Sequence, residues 1–304
     1  MSKLVTRANA RVKEVPRIEV LSSDYTELLE GISRTRPQLA TVLVRAENSR
    51  IAMLRQYHSG ARLRGLEQLL DYLSIAKEVF DRHPRLAKVS FLLSRARDDF
   101  EVAIEATMSG ARGVVADQMR DVMEIQFLLR DFENDSTRIE DWLRANDQER
   151  YKRFQPYVLR QRARLKIKPE DLAETTDYEA ADYKAHRAAL QVRPRQTVLG
   201  GKGFARDEDQ IGKDMCFWEI FDHGRRLIRP IHQLKRRVAP NLKGTPSPHR
   251  GLKAFRDGWE LTQDMQAIFL SLLEGSKEES GEDGDTGAGE ASSAPFPEAS
   301  RSTE

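Results

Sequence analysis

Residues 117–132 read DQMRDVMEIQFLLRDF. Met119, Val122, Met123, Ile125, Phe127, Leu128 and Leu129, with Val114 and Val115 just upstream, leave little of a helix circumference polar. A helix apolar on nearly all sides is an interior one, so the stretch predicts a central helix with others packed around it. Yet Asp117, Arg120, Asp121 and Glu124 fall at i, i+3, i+4 and i+7, on one face. Charges are seldom buried without partners. The stripe therefore predicts an internal ion-pair network, with Arg120 one turn before Glu124, or else a functional site. If the pair is buried, Arg120→Ala costs on the order of 3 to 5 kcal/mol.

Helical spacing recurs on both sides of this stretch. SSDYTE places Glu27 three residues after Asp24, a capping-box pattern that opens a short helix to about Ile32. After Pro37, Leu39, Val42, Leu43, Ala46, Ile51 and Leu54 predict a helix ending near Gly60, and a second runs from Arg62 to about Arg82. Val89, Leu92, Leu93, Ala96, Phe100, Ala103, Ile104 and Met108 predict the next, stopping at Ser109-Gly110. The central helix covers about 112–132 and a small one surrounds Trp142. Long helices are predicted over 148–168, 215–238 and 250–274, with another over 177–190. Residues 191–209, containing LGGKGFARDED, read as a loop. No strand alternation or fixed-period repeat competes. The fold class is all-α: a multi-helix bundle with short connections, mostly between antiparallel neighbours. It forms a single domain over 23–275, after an extended arm over 1–22.

Composition supports this class. The chain is 39% hydrophobic and 32% charged, which is the mix of a soluble helical protein. Cys216 is the only cysteine, which excludes an intramolecular disulfide and a cysteine zinc site and fits a reducing, cytoplasmic setting. There is no signal-peptide pattern and no run of about 18 apolar residues, so no membrane is expected. The net charge of +2 is unevenly spread: residues 276–304 hold eight acidic against two basic residues, a net of −6, which leaves +8 on the rest. That acidic tail lacks the apolar residues to fold and is expected to be disordered.

Two basic clusters stand out. Arg150, Lys152, Arg153, Arg160, Arg162, Arg164, Lys166 and Lys168 interleave with Tyr151, Phe154 and Tyr157 and no acidic residue, a pattern that suits phosphate contacts and base stacking on RNA. The equivalent bland arrangement is an amphipathic helix with solvated charges. Arg225, Arg226, Arg229, Lys235, Arg236 and Arg237 form the second. If helices three and four form an antiparallel hairpin at Gly110, Asp98 and Glu101 approach Asp121 and Glu124, and these carboxylates suit magnesium-dependent nucleotide hydrolysis. Arg120 among them argues instead for ion pairing. The six histidines, His58, His83, His186, His223, His232 and His249, are scattered, and no Glu-x-x-His pair occurs. Neither a metal nor another cofactor is therefore expected.

The run from ARGVVADQMRDVMEIQFLLRDF through IEDWLRANDQERYKRFQPYVLRQRARLK resembles an uncharacterised bacterial family of helical proteins related to the HEPN (higher eukaryote and prokaryote nucleotide-binding) superfamily. Its pattern is an Arg-x-x-x-Glu among apolar residues, a polar break and a basic helix, over about 110–190. The resemblance implies a homodimer that acts on RNA or an acidic protein in a stress or phage-defence setting. Members that cut RNA without a metal use an arginine and a histidine on a late helix, and the comparable spacing here is Arg226 to His232 in RRLIRPIH. An arginine can steady phosphate charge while a histidine moves protons. Two departures weaken the match: Leu227 stands where a polar residue is usual, and Pro230 interrupts the helical hydrogen bonding before His232.

Overall fold

The computed structural model describes residues 22–164, 172–189, 206–244 and 251–278. Among these residues there are thirteen helices and no strands, so the chain is all-α. In order they are α1 (Ser22–Thr35), α2 (Pro37–Tyr57), α3 (Ala61–Asp81), α4 (Pro84–Ala87), α5 (Phe91–Ser109), α6 (Arg112–Asn134), α7 (Arg138–Arg144), α8 (Asp147–Phe154), α9 (Pro156–Arg164), α10 (Leu172–Ala189), α11 (Arg206–Val238), α12 (Lys253–Glu260) and α13 (Asp264–Glu278). No described helix is long and apolar enough to cross a membrane. The segments expected as an N-terminal arm and an acidic tail lie outside the described residues, apart from the first and last turns of helix.

The stretch at 117–132 does form the middle of the bundle. Helix α6 packs against α5, α9, α10 and α11, and buries Val115, Met119, Val122, Met123, Ile125, Phe127, Leu129 and Phe132. It follows α5 through a left-handed turn at Gly110, where φ is 80° and the N–H closes onto the last turn of α5. A second layer is built by α3 against α5 and α12. There Gly258 approaches so closely that an added Cβ would stand 2.6 Å from Phe221 Cζ and 3.1 Å from the Ala61 carbonyl oxygen.

Four boundaries differ from expectation. The helix expected over 148–168 is two helices, because Gln155, which precedes Pro156, is extended at ψ 151°. Its first part starts at a capping box: Asn146 Oδ1 accepts from the Glu149 N–H at 2.9 Å, and Glu149 Oε2 accepts from the Asn146 N–H at 3.0 Å. The helix expected over 250–274 breaks into α12 and α13 at residues 261–263, where the Thr262 hydroxyl donates to the Trp259 carbonyl. The late helix begins at Arg206, so residues 206–209 of the expected loop are helical, and the helix continues through Pro230 to Val238. At the N-terminus, α1 starts at Ser22, which puts Asp24 inside its first turn instead of at its cap.

Candidate metal centre

Helices α10 and α11 each carry an acidic residue one turn before a histidine: Asp182 and His186, then Glu219 and His223. The i, i+4 spacing places each pair on a single face. Those two faces meet in the interior, where none of the four residues is more than 3% exposed. Their ligand atoms all lie within 4.8 Å of one another. His186 Nε2 stands 3.3 Å from Asp182 Oδ1 and 3.1 Å from Glu219 Oε2. His223 Nε2 stands 3.1 Å from the same Glu219 oxygen, 3.2 Å from His186 Nε2 and 4.0 Å from Asp182 Oδ2. Around a tetrahedral ion with bonds of about 2.0–2.1 Å, neighbouring ligand atoms are separated by roughly 3.3–3.4 Å. Most edges here are within a few tenths of an ångström of that.

The hydrogen bonding around the cluster sets which atoms face inward. His186 Nδ1 lies 2.9 Å from the Ala116 carbonyl oxygen on α6. A carbonyl only accepts, so Nδ1 carries the proton, and the neutral ring presents its Nε2 lone pair to the carboxylates. An acceptor facing acceptors is repulsive unless a cation or a proton lies between them. Asp182 Oδ1, Glu219 Oε1 and His223 Nδ1 are buried without a hydrogen-bond partner, and such atoms in an interior need an explanation.

The electrostatics agree. Asp182 and Glu219 carry two negative charges into the cluster, the amount a divalent ion or two imidazolium protons would neutralise. In the protonated arrangement burial opposes a charge on His186, but Glu219 and Asp182 overcome it and lift its pKa to about 10. Burial likewise pushes Glu219 up, and the two histidines outweigh it, lowering the carboxyl to about 2. Asp182 is also held below the usual carboxylate range, with Arg226 the leading favourable cause against burial.

Arg226 belongs to this cluster's outer layer. Its Nη2 donates to Asp182 Oδ2 at 2.6 Å and reaches Asp222 Oδ2 at 2.5 Å, and its guanidinium lies over the Tyr178 ring. By occupying Oδ2, it leaves Asp182 Oδ1 turned toward His186. Partners of this kind orient metal-binding side chains. Asp222 also accepts from the half-exposed Arg225. Cys216, one turn before Glu219, is buried outside the cluster, and burial pushes its thiol up to about 12.

These contacts revise the pairing of Arg226 with His232. Arg226 is buried and spent on two carboxylates. Six residues along a helix separate the two by roughly 9 Å of rise and about 120° of rotation, so they do not share a face of α11.

The other expected sites are placed as follows. Arg120 lies 3.1 Å from Asp121, 3.6 Å from Asp117 and 3.9 Å from Glu124, and Arg95 adds a pair with Asp121 at 3.0 Å. The network is present but half-exposed, with the Arg120 side chain 31% exposed. Burial raises the Glu124 pKa, opposed by a hydrogen bond from the Tyr183 hydroxyl at 3.2 Å. Asp98, Glu101, Asp121 and Glu124 do not form a cluster of ligand atoms: among the described residues only the α10–α11 group does so. Glu101 instead pairs with Arg97 at 2.6 Å.

On α8 and α9, Arg150 pairs with Asp147, Arg153 with Asp141 and Arg162 with Asp131. Arg160 lies over the Phe127 and Tyr183 rings. Four of the eight proposed phosphate contacts thus have partners within the chain. Lys152, Tyr151 and Tyr157 are exposed, Lys166 and Lys168 lie outside the described residues, and the side chain of Arg164 does as well. The histidines that read as scattered in the sequence include two, His186 and His223, that meet across α10 and α11. The sequence signal was the repeated acid-x-x-x-His, one position longer than the Glu-x-x-His spacing of di-iron sites.

Comparison with family models, with curated proteins and with solved structures finds no match to this chain.

Proposed function

We propose that this chain is a metal-binding helical protein that holds one divalent transition-metal ion through Asp182, His186, Glu219 and His223. The observation that carries the reading is the inward convergence of two imidazole nitrogens and two carboxylates, with His186 Nε2 turned to them by the Nδ1–H bond to Ala116. Protons alone serve this arrangement poorly. Both Nε2 atoms stand 3.1 Å from the same Glu219 oxygen and 3.2 Å from each other, while Glu219 Oε1 and Asp182 Oδ1 keep no hydrogen bond. A cation among them would bind both Nε2 atoms, the Glu219 oxygen that faces them and Asp182 Oδ1 at once.

Two imidazoles with two carboxylates in a tetrahedral arrangement suit zinc first, with cobalt as its spectroscopic substitute. Four buried protein ligands make a closed site, the kind that stabilises structure and leaves no position for a substrate. The test is metal content by mass spectrometry after zinc loading and dialysis, together with cobalt absorption spectra. One ion per chain and an intense tetrahedral cobalt spectrum, both lost in His186→Gln and His223→Gln, are expected. Absence of stoichiometric metal, or cobalt binding indifferent to both substitutions, overturns the reading.

A further inference from the structure

Helix α10 is docked in an unusual way. Among its side chains at 178–186, the buried ones are Glu179, Asp182 and His186, all ionisable. Its apolar contacts come from partly buried residues: Tyr183 against Met123 and Phe127, and Tyr178 and Ala185 against Met215, Trp218 and Phe269. The facing stretch of α11 instead buries Phe217, Trp218, Ile220 and Phe221. Most helices are held by an apolar stripe. Here the inner face of α10 is held by polar bonds: Glu179 receives both prongs of Arg130 at 2.9 and 2.8 Å, Asp182 receives Arg226, and His186 bonds to Ala116. Interior charges favour docking only while they are neutralised.

Two of the four metal ligands come from α10 and two from α11, so the complete set exists only when α10 is seated. From this we infer that the metal ion is a clasp on α10: binding selectively stabilises its docked state, and withdrawing the ion loosens this helix ahead of the rest of the bundle. The inference rests on the metal reading above. Its physical basis is linkage, since a ligand that binds one state only favours that state in proportion to its saturation. Loosening α10 would uncover Phe127 and Trp218, which gives the ion control over an apolar surface.

Hydrogen–deuterium exchange on the full chain, with and without zinc, tests this while metal content is measured on the same samples. With free zinc at one hundred times its Kd, exchange across α10 should slow by up to about 100-fold, while α3 and α5 change by less than about twofold. His223→Gln removes a ligand yet leaves α10 intact, and should abolish the zinc-dependent slowing; circular dichroism checks that the variant is folded. One bound ion per chain with α10 exchange unaltered, or slowing spread evenly over all helices, overturns the clasp and spares the metal reading. No bound ion overturns both.

Discussion

Removing the Arg226 guanidinium should be among the most damaging single changes outside the apolar core. The side chain is 9% exposed, and lies 2.6 Å from Asp182 and 2.5 Å from Asp222. Arg226→Met keeps much of the bulk and removes the charge, leaving two carboxylates in the interior. Asp222 retains Arg225 at 2.9 Å, but Asp182 loses its leading favourable charge. Breaking a buried pair by deleting one partner costs about 3–5 kcal/mol. With a urea slope of about 3 kcal/mol/M, the unfolding midpoint of the metal-free protein should fall by roughly 1–1.7 M. Asp222→Asn in the same chain should be less than additive, with a coupling on the order of 0.5–3 kcal/mol, because the neutral amide no longer needs the guanidinium. A loss below about 1 kcal/mol at unchanged slope, or strict additivity with Asp222→Asn, would refute the view that this pair neutralises interior charge.

Arg120→Ala should cost only about 0–1 kcal/mol in the same assay, since all its ion pairs are half-exposed and screened; a loss of several kcal/mol would mean the network is more enclosed. Gly258→Ala forces a methyl to within 2.6 Å of the Phe221 ring, and should lower stability by about 1–3 kcal/mol, read from thermal unfolding. In metal-free protein, His186 is raised from 6.5 to about 10, so its contribution is full below pH 6.5 and fades as pH rises toward 10. Glu219 is lowered from 4.5 to about 2, so its contribution is full above pH 4.5 and fades as pH falls toward 2; urea midpoints across these windows check both signs. Zinc needs the imidazoles without their Nε2 protons, so its affinity for the folded chain should increase as pH rises toward about 10, where His186 loses its proton, and calorimetry in buffers of different ionisation enthalpy should detect proton release.

The bundle was readable because 117–132 is apolar around nearly its whole circumference, a pattern that only an interior helix satisfies. Pro156 was equally readable, and its effect on Gln155 is local; a continuous helix over 148–168 ignored the restriction a proline places on the residue before it. The stripe at Asp117, Arg120, Asp121 and Glu124 was correctly put on one face, but periodicity does not say how deeply that face is covered. Its carboxylates stay half in solvent, whereas the charged inner side chains of α10 at Glu179, Asp182 and His186 are enclosed. Burial of Glu179, Asp182 and His186 depends on which helices meet, information carried by the tertiary fold and absent from the local pattern. The four candidate ligands were visible only as two acid–histidine pairs in separate helices. Nothing in their spacing required the helices to face each other, and the partner that turns His186 inward is a backbone carbonyl on a third.

The chemistry of Cys216 offers a practical opening. It is the sole cysteine in 304 residues, it is buried, and its thiol is pushed up to about 12, so very little thiolate exists at neutral pH. The native chain therefore behaves as its own cysteine-less background for maleimide chemistry. Cysteines introduced at exposed Lys184 on α10 and exposed Arg236 on α11 would carry a spin-label or fluorophore pair without first deleting a residue from the core.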